Sequence, residues 1–165
     1  MKRVLSFILV LCVMLSAFAA PVNAQTPDTD SNEKIVSRTV EMLDDGYLLE
    51  TVVTEEITGV TARANEYVRA GSVTRNLKNS DGDVLWSFTL RGQYDVVEGV
   101  SSVCTLAKYS YNIYDNSWSL DSASTSKSAN KAIGNATFKK KVLFITTDTK
   151  SFTLTLTCDK YGNLS

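Results

Sequence analysis

The chain has 165 residues, with 17 basic and 18 acidic side chains for a formal charge of −1, and no histidine at all. So mild a charge, without a concentrated basic surface, argues against nucleic acid as a partner. Without histidine the usual proton shuttle and the commonest metal ligand are missing, so zinc chemistry and Ser-His-Asp hydrolysis are excluded too.

Lys2 and Arg3 precede an almost unbroken apolar run from Val4 to Ala19, and Pro21-Val22-Asn23-Ala24 offers a small-residue cut site before Gln25. Charged, apolar, small is the order of a secretory signal peptide, so residues 1–24 are expected to be removed and the product secreted. The apolar core is too short for a retained anchor. Cys12 lies inside that core after the large Leu11, which does not suit a lipidation site and reads as one more apolar residue. The mature chain of 141 residues would carry a charge of −3, a single-domain length with room for one core.

Residues 25–35 are polar and acidic with Pro27, a flexible leader. The period then becomes two. Val36 to Leu43 and Tyr47 to Ile57 flank Asp44-Asp45-Gly46, a strong hairpin signal. Thr58 to Ala70 has mixed character and fits a loop, a strand or a turn of helix. Ser72 to Lys78 reads as a strand and Asn79-Ser80-Asp81-Gly82 as a turn. Val84, Trp86, Phe88 and Leu90 then alternate with mostly polar neighbours, and Gly92 suggests a bulge before Gln93 to Val97. After the Glu98-Gly99 turn, Ser102 to Tyr114 is long and aromatic, and Asp115-Asn116-Ser117 turns the chain again. Trp118 to Ser126 is a polar strand suited to an exposed edge, and Ser128 to Lys131 a loop. Ala132 to Thr147 holds one or two strands. Lys150 to Asp159 closes the series with Phe152, Leu154, Leu156 and Cys158 on one face.

About eight short strands and no convincing helix predict an all-β fold. An antiparallel β-sandwich, immunoglobulin-like in outline and spanning 36–165, is expected, with a small β-barrel as the alternative. Cys104 and Cys158 are the two cysteines left after cleavage, and in an exported chain a lone pair is expected to form a disulfide. Closing that loop would contribute roughly 4 kcal/mol in the chain-entropy model. Two free buried thiols are the rival reading.

Among candidate sites the aromatic group Tyr109, Tyr111, Tyr114 and Trp118 leads. A row of exposed rings could stack on sugar faces, with Asn112, Asp115 and Asn116 bonding hydroxyls; the bland alternative is half-buried strand packing. Lys139-Lys140-Lys141, beside Val142-Leu143-Phe144-Ile145, could touch an anionic envelope or membrane, or form a solvated strand face. The acids at Asp44-Asp45, Glu55-Glu56 and Asp81/Asp83 have no evident pairing in space, so no catalytic residue, metal site or cofactor is assigned.

The run Lys78-Asn79-Ser80-Asp81-Gly82-Asp83-Val84-Leu85-Trp86-Ser87 through Gly92-Gln93-Tyr94, with Cys104, Ser117-Trp118 and the closing Thr155 to Ser165, resembles a family of small secreted proteins from Gram-positive, Clostridia-type bacteria. The resemblance covers roughly 71–165 and implies bacterial export and a two-cysteine β domain, with no assigned activity. The expectation is a non-enzymatic binding module acting at the cell envelope or on an extracellular glycan or protein. The alternative is a secreted, bacteriocin-like antagonist of membranes or envelopes. No stable membrane insertion is expected once the signal is cleaved.

Overall fold

In a computed structural model that describes residues 33–57 and 65–165, the described residues form eight antiparallel strands in two sheets. The expected signal peptide lies outside the described residues, as do the leader up to residue 32 and residues 58–64. The strands are β1 (Glu33–Met42), β2 (Leu48–Glu56), β3 (Glu66–Lys78), β4 (Val84–Val97), β5 (Ser101–Ile113), β6 (Trp118–Ser128), β7 (Lys131–Val142) and β8 (Ile145–Thr157). The first five form one sheet in the order β1-β2-β3-β4-β5, the last three another in the order β6-β7-β8. This is a β-sandwich and not a closed barrel. Its connectivity is a plain meander within each sheet, without the strand exchange of immunoglobulin domains.

The alternation that marks β4 in the sequence buries Trp86, Phe88, Leu90, Tyr94 and Val96 on the inner face. Phe152, Leu154 and Leu156 of β8 and Phe138 of β7 meet them from the other sheet. Trp86 stacks on Phe138 with centroids 4.1 Å apart and lies 5.6 Å from Phe152, so three rings hold the sheets together. Tyr94 crosses the same gap as a polar bridge, its hydroxyl donating to the Leu156 carbonyl at 2.6 Å. Burial raises the pKa of that phenol, aided by both cysteine thiols nearby.

Two details differ from the pattern expected of the sequence. Glu33 to Ile35, placed in the leader, already belong to β1. Gly92 does not mark the bulge: the extra residue is Thr105 on β5, where Gln93 pairs Leu106 and Tyr94 pairs Cys104. Gly92 answers a different demand, because a Cβ there would sit 2.6 Å from the Tyr94 hydroxyl. Ala132 to Thr147, expected to hold one or two strands, divides between β7 and β8 at a turn within Val142 to Ile145.

The expected Cys104–Cys158 staple is not formed. Both residues are buried free thiols, Cys104 in β5 and Cys158 just past the end of β8. The Cys104 Sγ points to the Leu106 carbonyl at 3.3 Å and the Cys158 Sγ to that of Asp159 at 3.6 Å. Burial raises both thiol pKa values, which keeps them protonated and unreactive. The cysteines serve here as small apolar core residues. The seam they occupy is closed by main-chain bonds instead: Cys104 N donates to the Ala129 carbonyl at 2.8 Å and Cys158 N to that of Asn130 at 3.1 Å.

Candidate functional site

The four aromatics singled out in the sequence do not form one exposed row. Tyr109 and Tyr111 do share a face of β5, opposite Leu90 and Phe88, but that face is the inner one. They fill the open margin between the sheets, Tyr109 stacked 5.5 Å from Phe88 and Tyr111 edge-on 6.5 Å from Phe138. Each remains half exposed, and Tyr114, just past the strand, is more exposed still. Trp118 departs from the expectation altogether. At 2% exposure it is a core residue, edge-on to Tyr47 at 6.0 Å and to Trp86 at 6.3 Å. Its position at the first residue of β6, with N–H to the Asp115 carbonyl at 3.0 Å, turns the ring inward. Asp115 is committed to the turn as well, accepting from Ser117 N at 2.8 Å and Ser117 Oγ at 2.9 Å.

The paired acids are taken up by structure. Glu55 pairs with Arg69 and Glu56 with Arg91, across strands. Asp45 pairs with Lys150, whose hydrogen bond lowers its pKa. Asn79 Nδ2 donates to Asp83 at 3.1 Å. Glu50 is the most constrained of all, nearly buried among Arg38, Asn76 and Lys78. Burial pushes its pKa up, but the hydrogen bonds from Lys78, Asn76 and Arg38 outweigh that and hold it at about 2. Among the described residues no group of three His, Cys, Asp or Glu is placed to hold a metal.

The β7–β8 hairpin presents a different surface. Val142 pairs directly with Ile145, leaving a two-residue loop of Leu143 and Phe144. Both residues have positive φ, 48° and 71°, the geometry of a type I′ turn. Such turns favour Asn-Gly, because bulky side chains in the left-handed region cost about 1 kcal/mol or more each. Here the two positions carry large apolar side chains that touch almost nothing: Leu143 is 86% and Phe144 100% exposed, with Ile145 and Val142 also exposed beside them. Strain and apolar exposure coincide at one point, a combination that stability alone does not explain.

The lysines behind this tip are less available than their sequence suggests. Lys139 Nζ lies 2.9 Å from Asp121, and Lys140 Nζ 2.9 Å from the Tyr47 hydroxyl, a bond that raises its pKa. Lys150 is shared between Asp45 and Asp148. Only Lys141 of the triplet makes no ion pair or side-chain hydrogen bond among the described residues. The tip is therefore apolar first and basic second.

A second feature was invisible in the sequence. Across β6, β7 and β8, Ser122, Thr137 and Ser151 form one row and Ser124, Asn135 and Thr153 another. Between them the backbone of Ala123, Ala136 and Phe152 floors an open depression of about 400 Å³. Its polar groups bond one another, Thr137 with Ser151 at 3.0 Å and Thr153 with Asn135 at 2.7 Å. The Ser/Thr alternation of β6 was legible. That it lines up with Ser151 and Thr153 depends on register alone.

The tip residues had a partial signal. Residues 132–157 are too long for one strand, yet the turn inside them carries no Gly, Asn, Asp or Pro to mark it. Compared with protein-family models, characterised proteins and solved structures, the chain finds no match.

Proposed function

We propose that this protein is a non-enzymatic binding module, secreted after loss of residues 1–24, that seats its β7–β8 hairpin tip in the interfacial layer of a lipid bilayer. The observation that carries this reading is the pair Leu143 and Phe144, exposed and held in left-handed backbone. Burying both side chains in the acyl boundary would contribute about 3–6 kcal/mol. That is a weak and reversible attachment, of the order of a single lipid anchor. Lys141 adds a modest attraction to anionic headgroups.

Flotation with phosphatidylcholine vesicles, with and without phosphatidylglycerol, tests the proposal. Wild type should float with both, more strongly with the anionic lipid. The double variant Leu143→Asn, Phe144→Gly should stay in solution. If the variant floats as well as wild type, the tip is not the contact. Dye release from the same vesicles separates docking, which leaves them sealed, from the lytic action of a bacteriocin-like antagonist.

A second reading keeps an extracellular glycan or protein as the ligand, met by Tyr109, Tyr111 and Tyr114. Their partial exposure along one margin favours it. Glycan-array binding lost in Tyr111→Ala, with folding intact, would support this reading over the first.

A further inference from the structure

We infer that the free edge of β1 is a self-association surface, pairing antiparallel with β1 of a second copy about a two-fold axis. All ten residues of β1 are exposed. The strand bonds β2 along one edge and, among the described residues, has no strand on the other, which leaves a row of backbone donors and acceptors open to another chain.

The side chains toward the two ends of β1 are complementary to one another, while Arg38, which falls on the axis opposite its own copy, has its charge met by Glu50 within each copy. Antiparallel pairing about a two-fold that sets Ile35 opposite Val40 of the second copy also sets Lys34 opposite Glu41, and Glu33 opposite Met42. Each pair then occurs twice. Directly opposed residues must point to the same side of a sheet. Lys34 and Glu41 are seven apart in sequence and in a regular strand would point to opposite sides. The bulge between Ile35 and Ser37 corrects this: Lys34 pairs Glu55 and Glu41 pairs Leu49, six apart on β2 and on one face. Ile35 and Val40, opposite Thr54 and Glu50, likewise come to share the other face. The bulge thus gives β1 a pattern that matches its own reverse.

Charge availability points the same way. Neither Lys34 nor Glu41 makes an ion pair within its own copy among the described residues. Of the other edge strands, β8 has its Asp148 and Lys150 already engaged with each other, and Lys150 with Asp45. Ile35, Val40 and Met42 are exposed apolar residues that pairing would cover. One strand is a small interface, so the dimer is expected to be weak and reversible. This inference is independent of the hairpin tip and of any ligand.

Sedimentation velocity over a micromolar concentration series tests it. Wild type should show a monomer–dimer equilibrium. Lys34→Glu alone and Glu41→Lys alone should each weaken it about tenfold, since attraction becomes repulsion at two symmetric pairs. An equimolar mixture of the two single variants should dimerise again, because each supplies the charge the other lacks. A wild type that stays monomeric throughout, or a mixture no tighter than its components, overturns the inference. Glu41 lies within electrostatic reach of Arg75, so melting curves must accompany the series. Should Glu41→Lys not fold, Val40→Lys at an exposed position takes its place. Loss of the dimer at unchanged melting temperature then supports edge pairing, and an unaffected dimer rejects it.

Discussion

Two hairpin turns lie side by side at one end of the sandwich, and they follow opposite rules. Asp44-Asp45-Gly46 joins β1 to β2 with the glycine at φ 83°, the residue such a backbone favours. Leu143-Phe144 joins β7 to β8 with two bulky residues in the same region of backbone space. Both stand on shared supports: Tyr47 bonds Lys140, Asp45 pairs with Lys150, and Trp118 packs beneath Tyr47. The first turn is what local energetics alone would choose. The second spends stability to hold apolar side chains in water, and that difference is the ground for placing function there and not at the better-behaved turn.

Removing the common support should have the largest effect. Trp118→Ala deletes a buried ring beneath both turns and should cost about 3–5 kcal/mol, seen in chemical denaturation. A loss under 1 kcal/mol would mean that the ring is not the core residue described above. The same result bears on the sugar-platform reading, because a residue this destabilising to remove is no detachable ligand contact.

Acid should separate the two hairpins next. The folded pKa of Glu50 lies below the ordinary 4.5, at about 2, so its contribution is present at neutral pH and is lost as the pH falls through that window. Up to about 3 kcal/mol is at stake. Glu50 ties Arg38 of β1 to Lys78 and Asn76 of β3, while the β7–β8 hairpin encloses no such buried acid. Amide exchange at low pH should therefore rise in β1 and β2 before it rises in β7 and β8. Simultaneous loss in both hairpins would contradict this assignment.

The smallest effects address the turns themselves, and they have opposite signs. Gly46→Ala meets no neighbour but must adopt positive φ, so it should destabilise by about 1 kcal/mol. Leu143→Asn with Phe144→Gly should stabilise by about 1–2 kcal/mol while abolishing vesicle binding. A double variant that is less stable than wild type would show that the tip packs against something and is not strained for binding.

The strands were largely legible because a half-buried strand must alternate, as β4 does from Trp86 to Leu90 and β8 from Phe152 to Leu156. Five of the turns lie where Gly, Asn, Asp or Ser announce them. The β7–β8 turn was not legible, since Leu143 and Phe144 carry the β-strand signal into a position that contradicts it. The site was read less well than the fold. Tyr109 and Tyr111 were correctly placed on one face, but periodicity does not say whether a face looks inward or outward at the margin of a sheet. Trp118 looked like an exposed partner of Tyr114 because the sequence shows adjacency to a turn and not the direction in which the turn aims the ring.

Composition and period by themselves determined the all-β class, the approximate strand count and the inward set from Trp86 to Leu90, since these depend on local alternation. Tertiary structure decided what depends on pairing across distance. It left Cys104 and Cys158 as separate thiols because their positions follow from strand placement in two sheets, not from their number in an exported chain. It aligned two Ser/Thr/Asn rows across β6 to β8 and, through one bulge, brought Lys34 and Glu41 to the same side of β1. Register is a property of pairs of strands, and no single strand's sequence contains it.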